Sequence, residues 1–448
     1  GALTALVALG IVIVYRASGV LNFSAGAMGG IAAYHCYDLR DTMATPAAVA
    51  IGVGVGVLLE LMTYGVLALL RDASQLARLI ATLGLFGAGQ AFMVLRWGPS
   101  IVQPRPILPS RNVILFGDVM IGLDRLLLIG IALGCAAVLR FVYSGTLFGL
   151  ATSAVAENRR VAASAGWSPN RIELVNFAVA GGLSALAAIL LAPIVTLNAA
   201  VLSIAVIPAL AAALVGRFAA LGVTVAAALV IGIIQSEISL FQPDIADALG
   251  VSAASLTGLV QAVPLAIILG YMIVTGRSRL QRGDTVARLP LPGSGSVSLL
   301  PLVVATAVGV ALLFGVDTWT NALISTFAIA IILASVVVVA GYAGQLSLCQ
   351  FALAGFGAWV VARLVSVNGW SFEPALLAGI VVTTLVGLVV ALPALRTRGT
   401  SLAVATLAIA RMASSLISTD NALIGWEDRL PRKDWSSLGI DLDPPNHP

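Results

Sequence analysis

Three clusters of polar residues interrupt an otherwise apolar chain, and their types limit the chemistry on offer. Asn22 and Ser24, with Gly26 beside them, lie in "GVLNFSAGAMGGIAAY" (Gly19 to Tyr34). Gln345, Ser347 and Gln350 lie in "GYAGQLSLCQFALAGFGAW" (Gly341 to Trp359). Uncharged amides and hydroxyls next to glycine can hydrogen-bond an ammonium, a carboxylate or an amide; they do not by themselves break bonds. The third cluster is charged: Glu157, Arg159 and Arg160 precede Gly166 in "AVAENRRVAASAGWSPNRI" (Ala154 to Ile172). Nothing points to an enzyme, because no serine–histidine pairing or metal-ligand spacing occurs, and His35 and His447 are far apart. Cys36, Cys135 and Cys349 are scattered and odd in number, which supports neither a disulfide framework nor a metal site. A Walker phosphate loop needs a lysine followed by Ser or Thr. The only lysine is Lys433, and Asp434 follows it, so no nucleotide site and no cofactor of its own are expected.

The elements that carry these clusters follow from composition. Of 448 residues, 60% are hydrophobic and 10% charged, and the mean hydropathy is +1.05. Soluble domains average about 25% charged residues. Continuous apolar runs of roughly 20 residues cross a bilayer as helices, and the alternation of barrel strands is missing. The expected fold is all-α, a polytopic helical membrane protein with about 14 apolar segments. Those in the first part fall near 1–15, 18–37, 47–70, 79–96, 121–143, 173–195, 201–216, 219–236 and 257–275. Those in the second fall near 298–314, 318–340, 346–364, 375–395 and 401–417. Residues 276–297, rich in Arg, Pro and Gly, read as a cytoplasmic linker between a domain at 1–275 and another at 298–448. The net charge of +4 calls for no nucleic acid; Arg collects in short loops, as cytoplasmic loops do.

By that asymmetry the loop from Arg140 to Arg171 is cytoplasmic. Loop 97–118, and a loop bearing Glu237, Asp244 and Asp247, are external. Glu60 and Arg16 are placed near segment ends, snorkelling to the interface. No ladder of intramembrane carboxylates suggests a proton or sodium relay.

An internal repeat links the first two clusters. "GVLNFSAGAMGGIAAY" and "GQLSLCQFALAGFGAW" align at an offset of 325, Gly19 to Gly344, with five of sixteen residues identical. "IATL" (Ile80 to Leu83) and "VATL" (Val404 to Leu407) align at an offset of 324, each after an arginine-bearing loop. Both copies have the same orientation in the predicted topology, which makes this a parallel repeat. Two readings of the breaks stand side by side. Broken helices near the midplane line transport pathways; small residues with Ser, Asn and Gln also serve as packing and interhelical glue. The charged loop has a helix-like run stopped at Gly166, with Pro169 beyond, a termination pattern. It reads either as an amphipathic surface helix or as a docking helix for a cytoplasmic partner.

The first part resembles the first permease subunit of ABC importers for branched-chain amino acids. The stretches that carry this are "ALTALVALGIVIVYRASGVLNFSAGAMGGIAAY", "LIATLGL" and "AVAENRRVAASAGWSPNRI". The second part is similar to the other permease subunit of that system through "VVVVAGYAGQLSLCQFALAGFGAW" and "LPALRTRGTSLAVATLAIAR", so the chain looks like a fusion. The resemblance implies import of branched-chain or other hydrophobic amino acids, or of urea and short amides. It further implies an extracytoplasmic solute-binding protein, two cytoplasmic ABC ATPase subunits that use the ATP, and the bacterial cytoplasmic (inner) membrane. It casts Glu157, Arg159, Arg160 and Gly166 as the ATPase coupling loop, and Asn22, Ser24, Gly26, Gln345, Ser347 and Gln350 as the substrate pathway. Two details differ from the family pattern: Arg160-Val161-Ala162 stand where an acidic residue and two alanines are usual, and Cys349 replaces a glycine. The chain starts at Gly1 inside an apolar run and a second coupling loop is expected beyond Pro448, so the first domain is expected to lack its extreme N-terminus and the second to be C-terminally truncated. The alternatives are an ATP-independent channel or facilitator for a small neutral solute, and a non-functional remnant.

Overall fold

The structure is a computed structural model describing residues 1–109, 111–116, 119–249, 257–275, 317–342 and 347–394, with scattered positions between 303 and 441. The linker at 276–297 and Gln345 lie outside the described residues, as do most of the segments expected at 298–314 and 401–417. The chain divides into two compact units: Gly1–Gln242 with Val263–Tyr271, and Pro243–Ala262 with Met272–Pro448.

The first unit is a helical bundle. Its elements are α1 (Ala2–Ser18), α2 (Ala25–Leu39), α3 (Thr45–Leu69), α4 (Gln75–Trp97), α5 (Leu123–Gly145), α6 (Leu147–Glu157), α7 (Arg159–Ser164), α8 (Pro169–Val195), α9 (Ala199–Ile204) and α10 (Val206–Val215), with parts of α11 (Leu221–Leu249) and α12 (Thr257–Thr275). Local chemistry sets several ends. Proline stands in the first turn of α3 and of α8, where its missing N–H costs nothing. Ser74 Oγ accepts from Ala77 N at 3.2 Å at the start of α4. At the end of α1, Gly19 turns left-handed at φ +68° and its N–H reaches Tyr15 O at 2.8 Å.

At about 1.5 Å per residue, the 27 residues of α8 reach about 40 Å, more than the roughly 30 Å hydrocarbon layer. Among the described residues, seven helices are long and apolar enough to cross a membrane. Of these, α8 is the most enclosed, with α1, α2 and α3 packed around it. Small residues permit the approach. A Cβ on Gly181 would stand 2.6 Å from Gly56 O and 2.7 Å from Glu60 Cβ; one on Gly29 would stand 2.7 Å from Ser184 O. Residues of the opposite kind, such as Leu58, Met62 and Leu69, face outward on α3. An integral, multi-pass membrane protein follows.

The bundle has two differently furnished ends. Loop 98–111 covers one: Val102 and Leu197 exchange backbone hydrogen bonds, Gln103 Nε2 donates to Pro193 O at 2.6 Å, and Arg40 donates to Arg105 O at 2.7 Å. An antiparallel hairpin follows, β1 (Asn112–Phe116) and β2 (Val119–Gly122), a small exception to the all-α pattern. The opposite end holds Arg71, Arg159 and Glu173.

In the second unit, α13 (Asp317–Val337) runs into a π-turn at Val338–Tyr342; α14 (Gln350–Ser366) and α15 (Phe372–Ala394) pack as a hairpin. A Cβ on Gly379 would stand 2.5 Å from Val361 Cγ2 at that crossing. Strands β3 (Ser436–Ser437) and β4 (Ile440–Asp441) form a minimal antiparallel pair.

The structure corrects several expectations. Glu60 is not at an interface: it is 1% exposed and backs onto Gly181, the middle of α8. The run expected at 18–37 begins its helix only at Ala25, and that at 201–216 is split at Ala205 into α9 and α10. Glu237, Asp244 and Asp247 are not in a loop; α11 continues through all three, exposed on its surface. Its 29 residues span about 43 Å, so the helix outlasts its apolar part and the charges need no loop.

Gly181→Val is expected to lower thermal stability in detergent by about 1–3 kcal/mol through overpacking. Gly54→Ala, whose Cβ meets nothing within 4 Å, should leave stability unchanged or raise it. Equal melting temperatures for the two variants would refute the close-packed crossing.

Candidate functional site

Residues Gly19–Ser24 leave the helix between α1 and α2, and neighbours take up several of their freed polar groups. Thr82 Oγ1 donates to Leu21 O at 3.2 Å. Asn22 Oδ1 accepts from Ser24 N at 3.0 Å and from Ser24 Oγ at 2.7 Å. Asn22 Nδ2 donates to Glu60 Oε1, and Ser24 Oγ lies 3.4 Å from Thr63 Oγ1. Asn22, Ser24, Glu60, Thr63 and Thr82 are all buried. Gly26 does a different job: a Cβ there would stand 2.3 Å from Ser203 O, so glycine is what lets α2 meet α9. It also borders a cavity of about 20 Å³ that includes Thr4 and Ser184.

The second unit repeats this arrangement locally. α14 begins at Gln350, 325 residues after the start of α2 at Ala25. Ser347 Oγ and Cys349 Sγ pair at 3.1 Å, at the positions of Asn22 and Ser24. Thr406, the counterpart of Thr82, is buried and accepts at Oγ1 from Leu348 N at 3.0 Å. Each unit thus has a break followed by a helix, an i, i+2 side-chain pair within the break, and a threonine bound to the break's backbone.

Three buried oxygens at or near these breaks have no hydrogen bond among the described residues: Glu60 Oε2, Ser184 Oγ and Gln350 Oε1. Buried polar atoms are ordinarily paired, and within the described residues these three are not.

The charged loop forms two short helices. Asn158 separates them and caps α7, its Oδ1 accepting from Arg160 N at 3.0 Å and Val161 N at 3.1 Å. Ala162 packs into a small core with Ala151, Val155 and Ile172. Gly166 turns left-handed at φ +88°, exposed, with open space around it. Glu157 and Arg160 are exposed, whereas Arg159 turns inward to Glu173 and Asn170. Arg71 adds a second ion pair to Glu173 at 3.6 Å. The loop is therefore tied to α8, at the same carboxylate that Arg71 meets. Beside this cluster opens a cleft of about 370 Å³, bordered also by Gly19 and Val20 of the first break.

Sequence reasoning missed Glu60, Thr63 and Glu173, and the bonding roles of Thr82 and Thr406. A signal for Glu60 was present: the buried face of α3 is Ala48, Gly52, Gly56, Glu60, Thr63, Leu67, a stripe at helical spacing. A carboxylate in line with two glycines belongs to the packed face.

Glu60→Ala leaves the buried Asn22 amide without its acceptor and is expected to cost about 1–3 kcal/mol in detergent melts. Glu60→Gln keeps an acceptor and should cost less. Combining Glu60→Ala with Asn22→Ala should cost less than the sum of the two; strict additivity would show that the pair is not coupled.

Comparison with known proteins comes from one match. The family model for the permease component of the branched-chain amino acid transport system covers residues 1–278, more than half of the 448. No curated protein and no solved structure matches the chain. With its multi-pass helical bundle and buried helix break, the chain belongs to the branched-chain amino acid transport permease family.

Proposed function

We propose that this permease is the membrane component of an ATP-driven importer in a bacterial inner membrane. Its cargo is a branched-chain or other hydrophobic amino acid, or a related small solute such as urea or an amide. The chain combines two permease halves, 1–275 and 298–448, joined by a linker at 276–297. The observation that carries this reading is the recurrence of one device in both units: a helix break, its side-chain pair, and a threonine holding its backbone. Such breaks at membrane depth are tolerated where protein or a wet cavity satisfies them, and they are typical of solute pathways. Asn22, Ser24 and Gly26 are the substrate-pathway residues of the first half, and Gln345, Ser347 and Gln350 have the same role in the second. Glu60 and its free Oε2 join them.

The energy comes from elsewhere. An extracytoplasmic solute-binding protein delivers the substrate, and two cytoplasmic ABC ATPases dock on the permease. Glu157, Arg159, Arg160 and Gly166 form the coupling loop. Arg160 and Val161 supply its exposed face, while Arg159 passes movement to α8 through Glu173.

Reconstitution of the permease in liposomes, together with the ATPases and the binding protein encoded beside it, tests this. Labelled leucine should accumulate only with ATP, with urea as the comparison solute. Arg160→Glu and Gly166→Val are each expected to reduce ATP-driven uptake at least about tenfold, as a lost interaction of 1.4 kcal/mol would. Equilibration of either solute without ATP, unaffected by these substitutions, would replace the importer by a facilitator.

A further inference from the structure

We infer that the cleft between the ends of α1, α3 and α8 is a binding site for a phosphate group. The site does not depend on the transport reading. Three guanidinium groups border the cleft, those of Arg71, Arg78 and Arg159, against two carboxylates, Asp72 and Glu173. Two of the three arginines turn to the same acid: Arg71 and Arg159 both pair with Glu173. Arg78 brings a donor of its own, since its Nε is buried and has no hydrogen bond among the described residues. Among the described residues, the side chains around this hollow of about 370 Å³ therefore carry one more positive than negative charge, and one arginine N–H is unanswered. Planar guanidinium forks match phosphate oxygens in pairs.

The depth of the cleft shows where such a phosphate comes from. Val20, Leu67 and Phe177 close the inner end of the cleft as part of the buried core. Arg71 stands just past the end of α3, a helix of 25 residues whose length matches a membrane crossing. The arginines thus sit at headgroup depth. Basic pockets between membrane helices bind anionic headgroups in this way. A free phosphate offers the same oxygens to the same arginines without needing the bilayer.

The test uses the full-length chain in neutral detergent, read by thermal melts and by native mass spectrometry. The probes are phosphatidylglycerol, phosphatidylcholine, sodium phosphate, and sodium chloride at equal ionic strength. Phosphatidylglycerol should raise the melting temperature saturably and stay bound in the spectrometer, while phosphatidylcholine does neither. Arg78→Gln should weaken that binding by about tenfold, the usual scale for one charge-assisted hydrogen bond. Asp72→Asn, which removes an opposing charge at the mouth, should strengthen it, and so guards against mere misfolding of the arginine variant. If sodium phosphate alone reproduces the effect with the same response to both substitutions, the site stands and its ligand is the free anion. No gain from either phosphate source over its control, or a gain indifferent to both substitutions, overturns the proposal.

Discussion

A hydrocarbon solvent offers no hydrogen bonds, so every backbone group freed inside it must be answered by the protein. The stretch Gly19–Ser24 faces that constraint directly. Thr82 takes Leu21 O, Asn22 folds over Ser24, and Glu60 holds the amide of Asn22. These contacts come from α3 and α4, so the break can exist only once those helices are in place. The arrangement of α1 to α4 is in this sense a condition for the polar interior, and the polar interior fixes their register in turn.

Close packing around α8 supplies the other half of that condition. Lipid tails are as apolar as leucine side chains, so helices gain little from hydrophobic burial against each other and rely on contact at short range. Gly56 against Gly181, and Gly29 against Ser184, bring the backbones together. That proximity is what lets a side chain as short as asparagine span from the break to Glu60 on α3.

Much of this was legible in the sequence, and the parts that were not share a cause. Helices α12 and α15 were located within a few residues because apolar runs mark them. The breaks at Asn22 and Ser347 stood out as polar residues among glycines, and Gly166 was visible as a helix stop. Glu60 was misplaced because hydropathy averages over a window and ignores which face a residue occupies; only its alignment with Gly52 and Gly56 reveals it. α11 was cut short for the same reason, since a helix need not end where its apolarity does. The bond from Thr82 to Leu21 joins positions 61 apart in the chain, and the recurrence of "ATL" hinted at a shared role without naming the partner. The inward turn of Arg159 depends on Glu173 and Asn170 standing one helix away, which linear spacing does not convey.

The crossing of α3 and α8 has an evolutionary corollary. A side chain on Gly181 would meet Gly56 O and Glu60 Cβ, and one on Gly56 would meet Ala185 Cβ at 2.4 Å, so neither glycine can be exchanged without moving the crossing. Positions such as Leu58 and Met62, turned outward on the same helix, are open to exchange with any apolar residue. Drift in this lineage is therefore expected along one face of α3 and arrested along the other, so that the helix's own history of substitution would trace the line where it meets its neighbour.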